Sequence, residues 1–347
     1  MRRILFILTV MMLSLTAMAE EKVDTVVITL RDGSEVRYTT DQFDRVQVIE
    51  NLKYGVKVYL KGGKSKDYLA AKVEVRYYQT GGQVIIDEDT NKNRNKYRAK
   101  LLEYPHLHAD STRNQLLIKS TAQYGITYSV EWSYNDIANR WTCYQLYAGN
   151  MLSKVTRTDA FKEDTEIPSQ YRSTLSDYKN SGFSRGHLCP SADRLCSTEQ
   201  NRQTFLLSNM QPQYQNHNGV LWENLEGKVR DWASNCDTLY VVKAGTIRSD
   251  QVYSKKCNDR LLVPKYFYMA LLAYDKKSNK YQALGLWTKH ENVSDTNKNY
   301  GDYAISIDEL EERTGIDFFC NLPDNIEDDV ESDAKLDLNY WGIRKSQ

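Results

Sequence analysis

The chain has 347 residues, and its 46 lysines and arginines balance 46 aspartates and glutamates, so the formal net charge is zero. This length can bury a sizeable core and indicates more than one structural unit. Net charge gives no reason to expect a polyanionic partner. Basic residues outnumber acidic ones from Asn91 to Ala160, and acidic ones predominate from Asp302 to Leu338. This distribution suits either a polyanion-binding surface or two ordinary solvated surfaces.

Residues 1–19 have the features of a secretory signal peptide. The basic start Met1-Arg2-Arg3 precedes an apolar run from Ile4 to Leu15, and Ala17-Met18-Ala19 is a small-residue cleavage site. The apolar run is too short to span a bilayer, and no other stretch approaches ~20 apolar residues. We therefore predict cleavage after Ala19, no membrane span, and export to the periplasm or the extracellular space.

Residues 20–80 are predicted to form a small all-β module. The alternating segments 24–30 and 35–38 flank an Asp-Gly turn, which is a hairpin signal. A similar pattern recurs over 56–78 with its turn at 61–64, so the module consists of two degenerate β repeats. It contains no His, no Cys and no polar cluster with the spacing of a catalytic site, and its partner stays unknown.

Residues 81–100 are rich in Gly, Asn, Asp and Lys, which predicts a linker. Residues 101–347 then form the main domain. Its strands are predicted at 115–118, 127–132, 141–147, 238–242, 266–273 and 282–287, and its helices at 199–206, 219–233 and 307–314. This mixture predicts an α+β fold with a central antiparallel sheet, preceded by the small all-β module.

Two polar motifs stand a fixed distance apart in the main domain. The first is GFSRGHLCPSADR at 182–194, and the second begins at Ser208-Asn209 and continues through Asn218 and Glu226 to Arg230. An Arg-Gly-His turn followed by an Asn, Asn, Glu, Arg series resembles the DNA/RNA non-specific endonuclease family, whose active site is the ββα-metal motif. The family signature has Asp where this chain has Ser184, and we assign Ser184 no role. The resemblance covers residues 101–345.

The resemblance implies a hydrolase that cuts phosphodiester bonds of DNA and RNA and leaves 5′-phosphate ends. It implies Mg²⁺ as cofactor, for which Mn²⁺ can substitute. His187 would be the general base that activates the attacking water, since an imidazole with a pKa of ~6.5 can accept a proton near neutral pH. Gly186 is expected to permit a tight turn that directs this side chain outward. A structural loop histidine is the alternative.

Asn218 stands at the head of a helical stretch whose apolar stripe consists of Trp222, Leu225, Val229 and Trp232. A polar side chain on that stripe needs a partner. Helix N-capping is one answer. The resemblance implies the other, a divalent ion whose principal protein ligand is the Asn218 carbonyl oxygen. Waters would fill the rest of its shell, as Mg²⁺ prefers.

The resemblance also assigns supporting roles. Glu226 would hold metal-bound waters and Arg230 would lie near the phosphate, whereas an i,i+4 ion pair between them is the alternative. Asn209 would support the site or would simply be a turn residue before Pro212. Guanidinium groups grip phosphate oxygens bidentately. The phosphate-binding arginines implied by the resemblance are Arg157 and Arg185.

The six cysteines are an even number, compatible with disulfides in an oxidising compartment or with buried thiols. No Cys-x-x-Cys or Cys/His clip is present, which disfavours a metal site. P-loop, Gly-x-Ser-x-Gly and His-Glu-x-x-His motifs are absent, which argues against an NTPase, an α/β-hydrolase and a zincin. Two other functions stay open: a phosphodiesterase acting on small nucleotides or other phosphate diesters, and an exported binding protein with an inert nuclease fold.

Overall fold

The computed structural model describes residues 23–29, 35–39, 41–49, 55–69, 74–79, 84–85, 101–108 and 112–344. The predicted signal peptide, residues 1–19, lies outside these ranges and stays a prediction. Among the helices of the described ranges, none combines the length and the apolar character that a bilayer span requires.

The N-terminal strands form two antiparallel sheets, ordered β2-β1-β6-β7 and β3-β4-β5. Their bounds are β1 (Val23–Thr29), β2 (Glu35–Thr39), β3 (Phe43–Ile49), β4 (Gly55–Leu60), β5 (Ser65–Leu69), β6 (Glu74–Gln79) and β7 (Val84–Ile85). The β1 and β2 strands pair antiparallel, with Val26 opposite Tyr38. The β6 strand pairs with β1, and the two degenerate repeats stay a prediction.

The β7 strand lies inside the segment that the sequence assigned to the linker, and it pairs with β6. The division into a module at 20–80, a linker and a main domain stays a prediction.

The main domain carries β8 (Asn114–Thr121), β9 (Gly125–Ser133), β10 (Ala138–Leu146), β11 (Ser184–His187), β12 (Met210–Gln213), β13 (Thr238–Gly245), β14 (Tyr266–Asp275), β15 (Lys280–Lys289) and β16 (Ala304–Ile305). Its α-helices are Leu175–Tyr178, Thr198–Thr204, Glu223–Ala233, Ile307–Thr314 and Asp324–Glu331, and a π-helical turn spans His217–Trp222. Short 3₁₀ turns lie at Ser169–Tyr171, Ser191–Arg194, Leu207–Asn209, Ser249–Gln251, Tyr300–Asp302 and Asp333–Lys335.

A seven-stranded antiparallel sheet forms the centre of this domain, in the order β16-β15-β14-β13-β10-β9-β8. The prediction of an α+β fold with a central antiparallel sheet is confirmed. The β14 strand is buried without interruption from Phe267 to Ala273. It therefore reads as a continuous apolar run because both faces of the sheet are covered.

The helix Glu223–Ala233 packs its predicted apolar stripe into the main core, where Leu225, Val229 and Trp232 are buried. The indole nitrogen of Trp232 donates to the carbonyl oxygen of Trp341 at 2.7 Å, so the chain end closes on the same core. The helix Ile307–Thr314 has its predicted bounds. Its Ser306 N-cap accepts from Glu309 N–H, and Gly315 ends it with φ of 76°.

All six cysteines are free thiols in the structure, and every one except Cys236 is buried. Burial raises the pKa of Cys189 to about 12 and that of Cys143 well above its usual value. These two thiols stay protonated and unreactive at neutral pH. Of the two alternatives that the sequence left open, the structure has buried thiols.

The β11 and β12 strands form a separate two-stranded antiparallel sheet in which His187 lies opposite Met210. The π-helical turn and the helix Glu223–Ala233 follow β12 directly in the chain. Two strands and a helix therefore stand in the ββα order that the family resemblance implies.

Candidate active site

One cleft, of about 780 Å³, is bordered by β11, the π-helical turn and the helix Glu223–Ala233. Its walls include all the predicted site residues except Asn209. They are Arg157, Arg185, His187, Asn218, Glu226 and Arg230. Residues that are scattered over more than seventy positions of sequence therefore meet at one cleft.

His187 ends β11, and its imidazole ring packs edge-on against Phe205, with ring centroids 5.0 Å apart, and against Phe161 at 5.9 Å. Its Nε2 is buried and has no hydrogen-bond partner in the part of the chain that the structure describes. Nδ1 of the same ring is not among the buried atoms without a partner, so it is the ring nitrogen that can contact a molecule in the cleft.

Burial lowers the pKa of His187 to about 3, and the positive charges of Arg157 and Arg185 act in the same direction. The Asp159 carboxylate opposes them. The imidazole is therefore neutral from weakly acidic to alkaline pH. A neutral imidazole at the wall of a cleft can accept a proton from a bound water.

Gly186 does not make the tight turn that the sequence suggested. It lies inside β11 opposite Gln211, and the left-handed glycine of this region is Gly182, with φ of 81°. Position 186 instead needs glycine because a neighbouring side chain lies very close to its backbone. A Cβ there would lie 2.3 Å from Cδ of the fully buried Gln213 side chain. The close packing of β12 behind His187 depends on this missing side chain.

We expect Gly186→Ala to destabilise the protein by about 1–3 kcal/mol, because the added methyl group overpacks a buried contact. The midpoint of thermal unfolding measures this loss. Gly227→Ala is the matched control, since a Cβ there meets nothing closer than 3.8 Å. Alanine favours a helix over glycine, so Gly227→Ala should keep or raise the midpoint. Equal midpoints for the two variants would contradict the close-approach explanation.

Two buried contacts fix the backbone around His187. The indole nitrogen of Trp222 donates to the carbonyl oxygen of His187 at 3.2 Å, which ties the helix to β11. The Asn209 amide accepts from the N–H of Cys189 at 2.9 Å and donates to its carbonyl oxygen at 2.8 Å and to that of Thr204 at 2.9 Å. Asn209 thus clamps the segment after His187 and lies behind the cleft.

Asn218 lies inside the π-helical turn, and its backbone N–H donates to the carbonyl oxygen of Tyr214 at 2.9 Å. The helix has begun before this residue, so the N-cap alternative and the predicted start at 219 are both wrong. The Asn218 side chain lines the cleft and has no hydrogen-bond partner in the described part of the chain. Single π turns concentrate at functional sites.

The donor set around Asn218 fits a divalent cation that is held largely by water. An amide oxygen without a protein partner faces a cleft that the Glu223 and Glu226 carboxylates also line. Mg²⁺ prefers oxygen ligands and keeps several waters. A different group of carboxylates has its oxygens within 4.8 Å of one another but takes no part in lining the cleft. It consists of Asp308, Glu311 and Glu331.

Glu226 does not pair with Arg230, so the i,i+4 alternative is wrong. Its Oε1 lies 3.2 Å from Nζ of Lys243, which is fully buried on β13. Arg230 instead places Nη1 2.9 Å from Oδ1 of the buried Asp193. Burial raises the pKa of Glu226 to about 7, while the Lys243 ammonium group acts to lower it.

The arginines predicted to bind phosphate lie on aromatic rings beside His187. The Arg185 guanidinium is 3.7 Å from the Phe161 ring centroid, and it has neither an ion pair nor a hydrogen bond among the described residues. The Arg157 guanidinium is 4.8 Å from the Phe205 centroid, and its Nε lies 2.7 Å from Asp159. Both groups can turn toward a phosphate in the cleft.

Cations outnumber anions on the cleft walls, where Lys179 joins the three arginines against Glu223 and Glu226. This balance attracts a phosphate group. Ser184, in the place of the family Asp, forms a hydrogen bond with the Gln215 side chain and so contacts a residue close to the start of the π-helical turn.

The sequence did not point to Lys243 or Asp193 as members of the site. Lys243 had a visible signal, since it interrupts the apolar run 239–244, and a charge in such a run needs a partner. Asp193 stands inside the first motif. It accepts hydrogen bonds from both Arg230 and the Tyr144 hydroxyl, each at 2.9 Å.

Comparisons with known proteins agree with this geometry. The family model for DNA/RNA non-specific endonucleases matches residues 109–325. A nuclease from Nostoc sp. is 34% identical over 225 residues, which cover 63% of this chain and 78% of that protein. Nuclease C1 from Cunninghamella echinulata var. echinulata is 32% identical over 207 residues, covering 56% and 81%.

The crystal structure of an EndoG/EndoGI complex contains a chain with the same fold. Its TM-score is 0.52 at 22% identity, over 60% of this chain and 88% of that one. The family match spans more than half of the sequence, and both polar motifs lie within it. The chain therefore belongs to the DNA/RNA non-specific endonuclease family.

Proposed function

We propose that this protein is a secreted, Mg²⁺-dependent endonuclease that hydrolyses phosphodiester bonds of both DNA and RNA. One observation carries the proposal. The imidazole of His187, the amide of Asn218 and the guanidinium of Arg185 line one cleft, and each keeps polar atoms that have no partner in the described chain. A base, a cation ligand and an anion-binding group are the components that phosphodiester hydrolysis requires.

In this proposal Nδ1 of His187 takes a proton from the water that attacks phosphorus in line with the leaving 3′ oxygen. The bond from phosphorus to that oxygen breaks, and the oxygen takes a proton from solvent water to become the 3′-hydroxyl. The depressed pKa keeps the imidazole neutral and its lone pair free at neutral pH, and it also makes the ring a weaker base than free imidazole. Arg157 and Arg185 bind the phosphate oxygens and offset the charge that develops on them. A divalent cation bound through Asn218 would add Lewis-acid stabilisation of that charge.

Glu226 orients water molecules at the cation side of the cleft, and Arg230 lies next to it on the cleft wall. The cleft residues address phosphate and not base edges, so we expect little sequence preference. DNA and RNA are then both substrates, because the phosphodiester is common to them.

Cleavage should leave 5′-phosphate and 3′-hydroxyl ends, because the bond that breaks joins phosphorus to the 3′ oxygen. Labelling of the products by polynucleotide kinase measures this. We expect 5′ labelling only after phosphatase treatment. Direct labelling without phosphatase would contradict the proposed direction of cleavage.

The test of the function itself uses the mature chain from Glu20 with supercoiled plasmid, single-stranded RNA and a small phosphate diester. Each is incubated with Mg²⁺ or with EDTA. Cleavage of plasmid and RNA that requires Mg²⁺ supports the proposal. Cleavage of the small diester alone favours the phosphodiesterase, and no cleavage of any substrate favours the inert binding protein.

The secretion part of the proposal rests on residues 1–19. Mass spectrometry of the protein purified from the periplasm or the culture medium would show an N-terminus at Glu20. A protein that keeps Met1 and stays with the cytoplasmic fraction would contradict export.

A further inference from the structure

A buried lysine stands behind the active-site carboxylate. Lys243 occupies the middle of the central sheet, on β13, opposite Thr142 of β10 and Met269 of β14. Its side chain is fully buried, and it does not line the cleft. A lysine in this place cannot touch a molecule in the cleft, so any contribution to the reaction must pass through the residues of the cleft wall. Its charge acts at longer range on His187, and it has one direct neighbour among them.

That neighbour is Glu226. Nζ of Lys243 lies 3.2 Å from Oε1 of Glu226, and this carboxylate is the acceptor of its one hydrogen bond within the described chain. The remaining surroundings of the ammonium group are aromatic, with the ring centroids of Trp222 at 5.4 Å and Tyr144 at 5.8 Å. The Glu226 side chain is 12% exposed and lines the cleft, so the carboxylate stands between the lysine and the cleft.

Burying an ammonium group is unfavourable, and an apolar side chain of similar size would suit this strand better. The flanking residues Val242 and Ala244 are fully buried apolar residues, as the rest of the strand centre leads one to expect. Stability of the sheet therefore does not explain a lysine here. Placement of the carboxylate does, because a rigid central strand holds the cation at one fixed point behind it.

We propose that Lys243 is a positioning residue that holds the Glu226 carboxylate in its charged form and in its orientation toward the cleft. The proposal rests on the function proposed above. Burial raises the pKa of Glu226 most, and the charge of Asp193 adds to this rise. The Lys243 ammonium group is the largest influence that lowers this pKa, and Arg230 acts in the same direction. Without the lysine, a larger fraction of Glu226 would be protonated near neutral pH.

Lys243→Met removes the charge and keeps a flexible apolar chain of similar length. We expect kcat/KM for plasmid cleavage at pH 7 to fall roughly fivefold or more. Loss of an adjacent opposite charge raises a carboxyl pKa by about one unit or more, and a rise from about 7 lowers the charged fraction of Glu226 at pH 7 from about a half to about a tenth or less. The acid limb of the pH profile should move to higher pH, so the loss should shrink above pH 8. Lys243→Arg, which keeps the charge, should restore part of the activity and the original limb.

A double-mutant cycle with Glu226→Gln tests whether the lysine acts through this carboxylate. We expect Lys243→Met to cause no further loss when it is added to the Glu226→Gln variant. A full further loss in that double variant, or an unchanged acid limb in the single Lys243→Met variant, would overturn the proposal.

Lys119→Met is the control, since Lys119 is also buried and ion-paired, at 2.8 Å from Asp164, but lies outside the cleft. It should lower stability and leave the pH profile of the folded protein unchanged.

The same set of variants also tests the function proposed above. Wild-type cleavage that is lost in His187→Ala, together with an unaffected Lys243→Met variant, would reject the lysine proposal alone. A wild type that cleaves no nucleic acid would reject the proposed function, and the lysine proposal with it.

Discussion

Replacing His187 with alanine is expected to lower kcat/KM for plasmid and RNA cleavage by about 10²–10⁴-fold, the usual contribution of a positioned general base. The imidazole is the one neutral proton acceptor that the described cleft walls offer at pH 7, since burial and two nearby arginines keep its pKa at about 3. In the proposed function, the Glu226 carboxylate of the cleft holds water instead. Initial rates of plasmid nicking in Mg²⁺ measure the loss.

The control for this variant is His106→Ala, because His106 does not line the cleft. It should cleave at the wild-type rate. Added imidazole should rescue part of the activity of the His187→Ala variant, since the removed ring leaves space beside Phe161 and Phe205 at the cleft wall. Metal-dependent cleavage by His187→Ala within tenfold of wild type would exclude this residue as the base.

The second large effect is expected at Asn218. Asn218→Ala should raise the Mg²⁺ concentration for half-maximal activity by roughly tenfold to a hundredfold, the range seen when groups that hold a metal site are lost. Its side chain is the amide that faces the cleft without a partner in the described chain. Mg²⁺ titration of plasmid cleavage measures the shift, and calorimetric titration of Mn²⁺ into the protein gives binding apart from catalysis.

Asn216→Ala is the matched control, because Asn216 lies in the same stretch of helix but hydrogen-bonds to Asn292 and does not line the cleft. Its Mg²⁺ dependence should equal that of wild type. Asn218→Asp keeps an oxygen ligand and should retain Mg²⁺ binding. Identical Mg²⁺ curves for wild type and Asn218→Ala would place the cation elsewhere.

The elements that the sequence predicted well are those whose apolar pattern is local. The helix Ile307–Thr314 carries its own cap and stop, and β13, β14 and β15 contain the predicted apolar runs and extend beyond them at one or both ends. The apolar pattern did not locate β11 and β12, because SRGH contains no apolar residue and MQPQ is only four residues long and includes a proline. They exist through their pairing with each other across a gap of more than twenty residues.

The residues of the site likewise divide into those that the sequence predicted and those that it did not. The two motifs and their spacing predicted His187, Asn218 and Glu226 as site residues, and all three line the cleft. The ion-pair partners of the site residues could not be predicted from the sequence, because they depend on which face of the helix Glu223–Ala233 packs against which strand. Glu226 finds Lys243 on β13, and neither the i,i+4 rule nor the motif contains that contact.

The π-helical turn also makes the site sensitive to chain length. A π turn holds one residue more than an α turn, and this extra residue sets the direction of Asn218 relative to Glu226. Deleting a single residue from the α-helical part between Glu223 and Glu226 would rotate Asn218 by about 100° around the helix axis relative to Glu226. The side chain that we propose as the metal ligand would then face another direction. Relatives of this protein that differ by one residue in this segment should therefore be inactive.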